Sequence, residues 1–245
     1  MQNGTSSLSL SVNPEFFRAL AYVSLWILLL NAATLTMVFM PGVIYDNPIL
    51  KTFGVNNICI LLDDQPAAFF SPFIWSISSI LFFLYFASSA VQQRQQLLKG
   101  ALTKRGYRFR IVSLTAGAIS VCIFSTVFAI SPYENLYVHV LSFFFLIIAL
   151  SILAVANTGY YIKTASLSPI ALIYAEIYSF AVVILSILYI MKMLNALYFD
   201  GMIPYLEFIN SVFLDRVWTI LVGFLPFFHS LYLIRKTNRL KISFN

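Results

Sequence analysis

Charged residues are scarce in this chain, and so are the residues from which soluble enzymes usually build their sites. Only 10% of the residues are charged and 60% are hydrophobic, whereas soluble domains carry about 25% charged residues. Two cysteines provide no disulfide framework. No glycine-rich phosphate loop, nucleophile elbow or paired-histidine zinc motif occurs in the sequence. The composition therefore argues against a soluble enzyme and against a disulfide-stabilised secreted domain.

The small number of histidines and lysines also limits which cofactors the chain could bind. His139 and His229 fall near opposite ends of two different apolar segments, whereas two axial haem ligands must face each other at one depth. The last apolar segment contains no lysine that could hold retinal. We therefore expect no cofactor and no metal site.

Long apolar runs occupy most of the sequence. A transmembrane helix needs about 20 predominantly apolar residues, and the runs that satisfy this length predict an all-α membrane bundle of six helices. We take residues 1–245 as one domain because the length suits a single bundle. The predicted spans are about 16–40, 69–91, 111–130, 136–160, 170–191 and 211–234, with outer loops at 41–68, 131–135 and 192–210.

The basic residues predict the orientation. Residues 92–110 form a predicted loop with six Lys or Arg and no acid, and loops rich in Lys and Arg stay in the cytosol. Alternation of the loops then places 12 of the 15 basic residues, and both termini, on the cytosolic side. The net charge of +6 is therefore interpreted as a topology signal and, at residues 94–110, as a contact with anionic lipid headgroups, not as nucleic-acid binding.

Polar residues at the outer ends of three predicted spans suggest a site. We expect a polar cavity between the second, fourth and sixth spans, since ionisable residues at helix ends that face a bundle interior often mark a site. A histidine beside a carboxylate can act as a general base on an ester or a hydroxyl. The candidate catalytic residues are His139 and Glu134, and the candidate substrate-binding residues are Asp64, Asp215 and Arg216, with Asp63 beside them. The alternative, that these are interfacial residues capping helices, stays open.

Three further polar residues fall within predicted spans. Asn31 is expected to form a hydrogen bond to a neighbouring helix, because an amide in hydrocarbon needs a partner. Glu176 should be neutral, paired or facing a polar cavity, with Asn157 and Tyr174 as candidate partners. His229 follows Pro226, and we expect it to stabilise a helix kinked by that proline.

Three short patterns stand at the predicted entries to the second and fourth spans and along the last span. These patterns are Asp63-Asp64-Gln65-Pro66 with Phe69, Trp75 and Ser76; Tyr133-Glu134-Asn135 with His139, Phe143 and Phe144; and Asp215 to Phe228-His229. The acidic and proline entry to the second span, the acid and histidine at the fourth and the Phe-His pair of the last span resemble the FRAG/DRAM superfamily of six-span membrane proteins, and most closely its branch that remodels the lipid of GPI anchors.

The resemblance implies a step in the fatty-acid remodelling of GPI anchors in Golgi or endoplasmic reticulum membranes, by reacylation of a lyso-GPI intermediate. Glu134 and His139 would then face the lumen, where that lipid lies. Two alternatives remain open: a non-enzymatic scaffold or regulator of lipid signalling or autophagy, which works through the basic loop, and an accessory subunit of a larger membrane complex.

Overall fold

The structure, a computed structural model, describes residues 8–53, 58–164, 168–198, 204–207, 210–235 and 240–244. Its α-helices are α1 (Pro14–Phe39), α2 (Pro48–Phe53), α3 (Ala67–Leu98), α4 (Lys104–Phe124), α5 (Leu136–Thr164), α6 (Pro169–Tyr198), α7 (Pro204–Glu207) and α8 (Ser211–Ile234). Three 3-10 turns cover Pro41–Ile44, Ile58–Leu62 and Ser125–Phe128, and two short strands, β1 (Leu8–Val12) and β2 (Leu240–Phe244), pair antiparallel.

The predicted helical bundle is confirmed, because six helices in the described part of the chain are long and apolar enough to cross a membrane: α1, α3, α4, α5, α6 and α8. The shortest of the six, α4 with 21 residues, is about 32 Å long at 1.5 Å per residue, which exceeds the hydrocarbon thickness of about 30 Å. Large apolar side chains such as Phe180 and Phe213 are mostly exposed on the outside of the bundle. Exposure of that kind suits a surface that faces lipid.

The six long helices form a closed ring in chain order. Each packs against the next along the chain, and the ring closes where α1 packs against both α3 and α8. Antiparallel neighbours joined by short connections are the simplest way to build such a bundle. Every long helix therefore has one face toward the ring interior and one toward the outside.

The predicted cytosolic loop 92–110 is wrong as a loop, because most of it is helical. Helix α3 continues to Leu98, and α4 begins at Lys104. The turn between them includes Gly100, whose φ of 71° lies in the left-handed region that glycine adopts readily. Gln, Lys and Arg are good helix formers, so this polar sequence extends both helices into a hairpin.

The strands bring the two ends of the chain together. Leu8 pairs with Phe244 and Val12 with Leu240, and the Asn13 Nδ2 amide donates a hydrogen bond of 3.2 Å to the Ile234 carbonyl. The start of α1 and the end of α8 therefore lie at the same end of the bundle. We call this the basic end, since the α3–α4 turn also belongs to it, and the opposite end the outer end.

The first outer segment folds back into the ring. We call Ile58–Leu62 the inserted turn: Cys59, Ile60, Leu61 and Leu62 are all buried, and the turn contacts α1, α3 and α8. Thr36 of α1 donates a hydrogen bond of 2.9 Å from Oγ1 to the Leu61 carbonyl. The inserted turn thus closes the outer end of the ring from within.

Candidate functional site

His139 lies at the outer end of α5, with its side chain buried. Asn135 accepts a hydrogen bond from the Val138 amide and so caps the start of α5. The His139 Nδ1 atom lies 2.8 Å from the Ile130 carbonyl oxygen. Since a carbonyl only accepts, Nδ1 carries a proton, and in the neutral ring Nε2 is left as an acceptor. The backbone of the connection before α5 therefore fixes the tautomer of His139.

The carboxyl group that faces His139 belongs to Asp63, directly after the inserted turn. Asp63 Oδ2 lies 3.4 Å from His139 Nε2, and the two side chains are 3% and 0% exposed. Burial, with the neighbouring Asp64 carboxyl, raises the pKa of Asp63 to about 8. A protonated Asp63 can donate its O–H toward Nε2, so at neutral pH the pair is a neutral acid beside a neutral imidazole.

Glu134 does not contact His139. Its side chain is exposed, and its backbone N–H donates to the Ser131 carbonyl within the short turn before α5. This turn directs Glu134 outward, whereas the inserted turn brings Asp63 to His139 from inside the ring. The predicted Glu134–His139 pairing is therefore wrong, and Asp63 takes the place of Glu134. The apolar run before Asp63 was the signal that this acid is carried into the core.

A second acid is buried near the inserted turn. Asp215, close to the start of α8, is fully buried and accepts a hydrogen bond of 3.3 Å on Oδ1 from the Ile58 amide. Its Oδ2 accepts a hydrogen bond of 2.8 Å from the partly exposed Arg216 guanidinium. Asp215 therefore binds both the Arg216 guanidinium and the first residue of the inserted turn, and it fixes one end of that turn.

Cys59 lies in the field of both buried acids. Burial raises the pKa of its thiol well above the usual value, and the Asp63 and Asp215 carboxyls add to the shift. A thiolate is the reactive form of cysteine, so Cys59 is a protonated, unreactive side chain in the core. We therefore interpret Cys59 as a structural residue of the core.

The sequence predicts a polar cavity between the second, fourth and sixth spans. At this end of the ring the inserted turn packs against α1, α3 and α8, Asp63 faces His139 of α5, and Asp215 of α8 accepts from Ile58. Asp64 is half-buried, its pKa is raised by burial, and its carbonyl accepts a hydrogen bond from Ala68 at the start of α3. Of the four residues predicted to line the cavity, His139 and Asp215 are therefore buried, whereas Asp64 is half-buried and Glu134 is exposed.

The three polar residues predicted within spans lie apart from one another. Asn31 is half-buried, and its Oδ1 has no hydrogen-bond partner among the described residues, so this atom does not form the predicted interhelical bond.

Glu176 is exposed on α6. The predicted partners of Glu176 are engaged elsewhere: Asn157 accepts from Arg110 and Tyr85, and the Tyr174 hydroxyl lies 3.5 Å from the Leu225 carbonyl oxygen. His229 packs against the Tyr174 ring at 6.2 Å between ring centroids.

A buried ionic cluster at the basic end was not predicted. Glu15 and Arg18 are both buried on α1 and form an ion pair of 2.7 Å. Arg18 Nε donates a hydrogen bond of 2.6 Å to Ser230 Oγ, which donates in turn to the Pro226 carbonyl. The cluster joins the start of α1 to the proline-containing part of α8. Glu15 and Arg18, three residues apart on one helix face, were the signal in the sequence.

Arg110 is a second buried guanidinium at this end, although the charge pattern counted it with the basic loop. It donates a hydrogen bond of 2.6 Å to Asn157 Oδ1 on α5 and lies 5.0 Å from the centroid of the Tyr160 ring. Tyr85 of α3 also donates to Asn157, and Arg18 lies over the Tyr85 ring. The two guanidiniums are thus linked through Tyr85 and Asn157.

Arg18, Tyr85 and Asn157 form the polar end of a small internal cavity of about 40 Å³ between α1, α3, α4 and α5. The remaining walls are mainly apolar, among them Phe82, Phe86 and Leu150. Since one water needs about 10–15 Å³, the cavity has room for a few waters beside the polar groups. It is far too small for a lipid chain.

In the described part of the chain, no group of three or more His, Cys, Asp or Glu side chains is placed to hold a metal ion. No protein-family model, no curated protein and no solved structure matches the chain.

Proposed function

We propose that this chain is a multi-pass membrane protein that takes part in the fatty-acid remodelling of GPI anchors in Golgi or endoplasmic reticulum membranes. The six apolar helices support a membrane location. The resemblance of the residues around Asp63, His139 and His229 to the GPI-remodelling branch of the FRAG/DRAM superfamily supports the substrate class. The buried Asp63–His139 pair beside the inserted turn is the observation that carries the proposal, since it joins two of those three patterns.

The geometry favours an accessory role over catalysis by His139. Both ring nitrogens of His139 face protein atoms: Nδ1 donates a hydrogen bond to the Ile130 carbonyl, and Nε2 faces the Asp63 carboxyl. A general base must reach the proton that it removes, directly or through one water, and neither nitrogen faces open space. The pair instead holds the inserted turn against α5, so that the protein presents a sealed outer end to lipid or to a catalytic partner.

The experiment is mass spectrometry of GPI-anchor lipids in cells that lack the protein, rescued with variants matched for abundance. We expect cells without the protein to carry an altered fatty-acid composition on GPI anchors. Asp63→Asn, which keeps the shape and a donor toward Nε2, should restore the wild-type profile. Glu134→Gln, an exposed change, serves as the matched control and should restore it as well.

His139→Ala separates the two roles. If His139 were a catalytic base, its loss at wild-type abundance should abolish remodelling, because such groups contribute about 100- to 10,000-fold in rate. On the accessory reading, His139→Ala reduces abundance, and the remaining protein stays active in proportion. Unchanged GPI lipids in cells without the protein would refute the proposed function altogether.

The orientation is part of the proposal: the basic end faces the cytosol, and the Asp63–His139 pair lies toward the lumen. The 12-to-3 distribution of basic residues supports this orientation, and the pairing of β1 with β2 keeps residues 8–12 and 240–244 at one end of the bundle. Tags placed at the N-terminus and in the α3–α4 turn should be digested together when protease is added to sealed microsomes. Protection of either tag would contradict the orientation.

A scaffold or regulator is the second candidate, because the α3–α4 hairpin is a basic surface. Its exposed basic residues are Arg94, Lys99, Lys104, Arg105 and Arg108. Such clusters attract anionic leaflets at about 1 kcal/mol per residue. Neutralising the five should leave GPI lipids unchanged under the remodelling proposal, whereas loss of function with intact abundance would favour the scaffold.

A further inference from the structure

We infer that the groove between α6 and α8 at the basic end is a binding site for an anionic phospholipid of the adjacent leaflet. The groove has a volume of about 480 Å³ and lies between the start of α6 and the last turns of α8. It lies at the opposite end of the bundle from the Asp63–His139 pair, so the site does not depend on the proposed function.

The floor of the groove suits an acyl chain. Ile170 and Ala171 line it from α6, and Leu225 and Phe228 line it from α8. Ile170 and Phe228 are largely exposed on the outside of the ring, so an adjacent lipid can enter from the side. In a membrane, however, lipid tails are as apolar as leucine, and filling a groove with a tail yields little net free energy. Specific binding therefore has to come from the headgroup.

The headgroup contacts are provided by one edge of α8. His229, Tyr232 and Arg235 follow each other at intervals of three residues, which places them on neighbouring positions of one helix face. His229 and Tyr232 line the groove, and Tyr232 and Arg235 also line a second hollow of about 350 Å³ that continues around the end of α8. Tyr232 is thus shared by the apolar groove and by the hollow that contains the exposed Arg235 guanidinium.

The charge at the mouth determines the class of lipid. Arg235 is exposed at the end of α8. Arginine presents a planar fork of donors that matches a phosphate bidentately. On α6, Ser168 accepts a hydrogen bond from the Ala171 amide and adds a hydroxyl at the same mouth. A phospholipid whose headgroup has a net negative charge fits this mouth better than a zwitterionic one, because none of the described residues that line the groove is acidic.

The test uses the full-length protein in nanodiscs with trace photoreactive lipids that carry a diazirine in the acyl chain. A phosphatidylserine probe is compared with a phosphatidylcholine probe, and labelled peptides are located by mass spectrometry. We expect the phosphatidylserine probe to label the peptides that contain 168–174 and 225–232 about fivefold more, the factor that one Lys or Arg near an anionic surface typically contributes.

Two variants and one control make the result decisive. Arg235→Gln should equalise the two probes, and Ala171→Phe, which fills the floor, should reduce labelling by both. Arg94→Gln, an exposed arginine on the α3–α4 hairpin, should change neither. Equal labelling of the wild type by both probes would mean bulk lipid only, and no labelling would mean that another segment covers the groove; either result would overturn the inference.

Discussion

The two ends of the bundle bury polar groups in opposite ways. At the outer end two acids are buried: Asp63, which directly follows the inserted turn, and Asp215 of α8, which accepts a hydrogen bond from that turn. At the basic end they are the guanidiniums of Arg18 and Arg110, which extend from long helices and bridge to the next helix. The first arrangement depends on a connecting segment that folds back, whereas the second is built into the helices themselves.

The difference between the two ends predicts which buried side chains carry a charge at neutral pH. The high pKa of Asp63 keeps it protonated, so its pair with His139 carries no net charge at neutral pH. The guanidinium of Arg18 stays charged and needs Glu15, Ser230 and the Tyr85 ring around it. The outer end should therefore tolerate replacement of its acid by a neutral isostere, whereas the basic end should not tolerate loss of its cation.

The largest effect is expected from Arg18→Ala. Removing one partner of a buried ion pair leaves the other charge uncompensated and typically costs about 3–5 kcal/mol. Arg18→Ala should therefore lower the thermal unfolding temperature in mild detergent sharply, by leaving Glu15 buried without its cation. Arg94→Ala, an exposed residue, is the matched control and should shift stability by no more than about 0.5 kcal/mol. Equal effects of the two variants would show that the cluster contributes nothing to the fold.

The next effect concerns pH and Asp63. Its folded pKa of about 8 lies above the ordinary aspartate value of 3.8, so between these values the folded chain holds a proton that the unfolded chain has lost. Stability contributed by this site falls as pH rises through that window, by up to about 1.4 kcal/mol per pH unit. Asp63→Asn cannot ionise and should flatten the decline in unfolding temperature between pH 5 and 8.

The control for this measurement is the neighbouring acid. Asp64→Asn, at a half-buried position, should leave most of the pH dependence in place. A wild type whose stability rises over the same window would show that Asp63 is ionised in the folded chain and that the neutral pair is wrong. Asp63→Ala, which removes the contact with His139, should be less stable than Asp63→Asn at pH 7.

Two glycines, Gly117 and Gly159, allow a comparison of a tightly packed helix position with an open one. A Cβ at Gly117 of α4 would lie 2.7 Å from Leu153 Cδ1 and 3.0 Å from Phe86 Cζ, whereas a Cβ at Gly159 of α5 would meet nothing within 4 Å. Gly117→Ala should cost about 1–3 kcal/mol through overpacking. Gly159→Ala should be neutral or stabilising by about 0.4–1 kcal/mol. Thermal unfolding that ranks the two variants in the reverse order would contradict the packing of α4 against α3 and α5.

The smallest effects are expected from removing single hydrogen bonds, one at each end of the bundle. Ser230 accepts from the charged Arg18 at the basic end, and Thr36 donates to the neutral Leu61 carbonyl at the outer end. Bonds to charged groups contribute about 1.5–3 kcal/mol, and neutral ones about 0.5–1.5 kcal/mol. Ser230→Ala should therefore destabilise more than Thr36→Val in unfolding experiments run side by side. A larger loss of stability for Thr36→Val than for Ser230→Ala would contradict the stronger hydrogen bond expected at the basic end.

The bundle could be predicted from the sequence because membrane spans are strongly constrained. A helix that crosses hydrocarbon must be long, apolar and internally hydrogen-bonded, and the six runs from Phe16 to Ile234 meet that requirement. The polar hairpin between α3 and α4 was missed as helix because span length says nothing about how far a helix continues outside the membrane. Gln92 to Leu98 has good helix formers and no apolar signal.

The site was predictable only in part. His139 and Asp215 are buried at the outer end, but the partner of His139 depends on the path of the connection before α3. Charge counting placed Arg18 and Arg110 with the cytosolic basic residues, and it cannot distinguish an arginine at a helix end from one hydrogen-bonded to the next helix. Tertiary contacts decided both questions.

The most direct test of the sealed outer end is alkylation of Cys59 in native membranes. In a Cys122→Ser background, Tyr45→Cys provides an exposed reference, since Tyr45 is 81% exposed and Cys59 is 0% exposed. We predict that maleimide labels the reference rapidly, that Cys59 stays unlabelled in the wild type and in Asp63→Asn, and that it becomes reactive in His139→Ala. Labelling of wild-type Cys59 at the rate of the reference cysteine would contradict a turn held closed by Asp63 and His139.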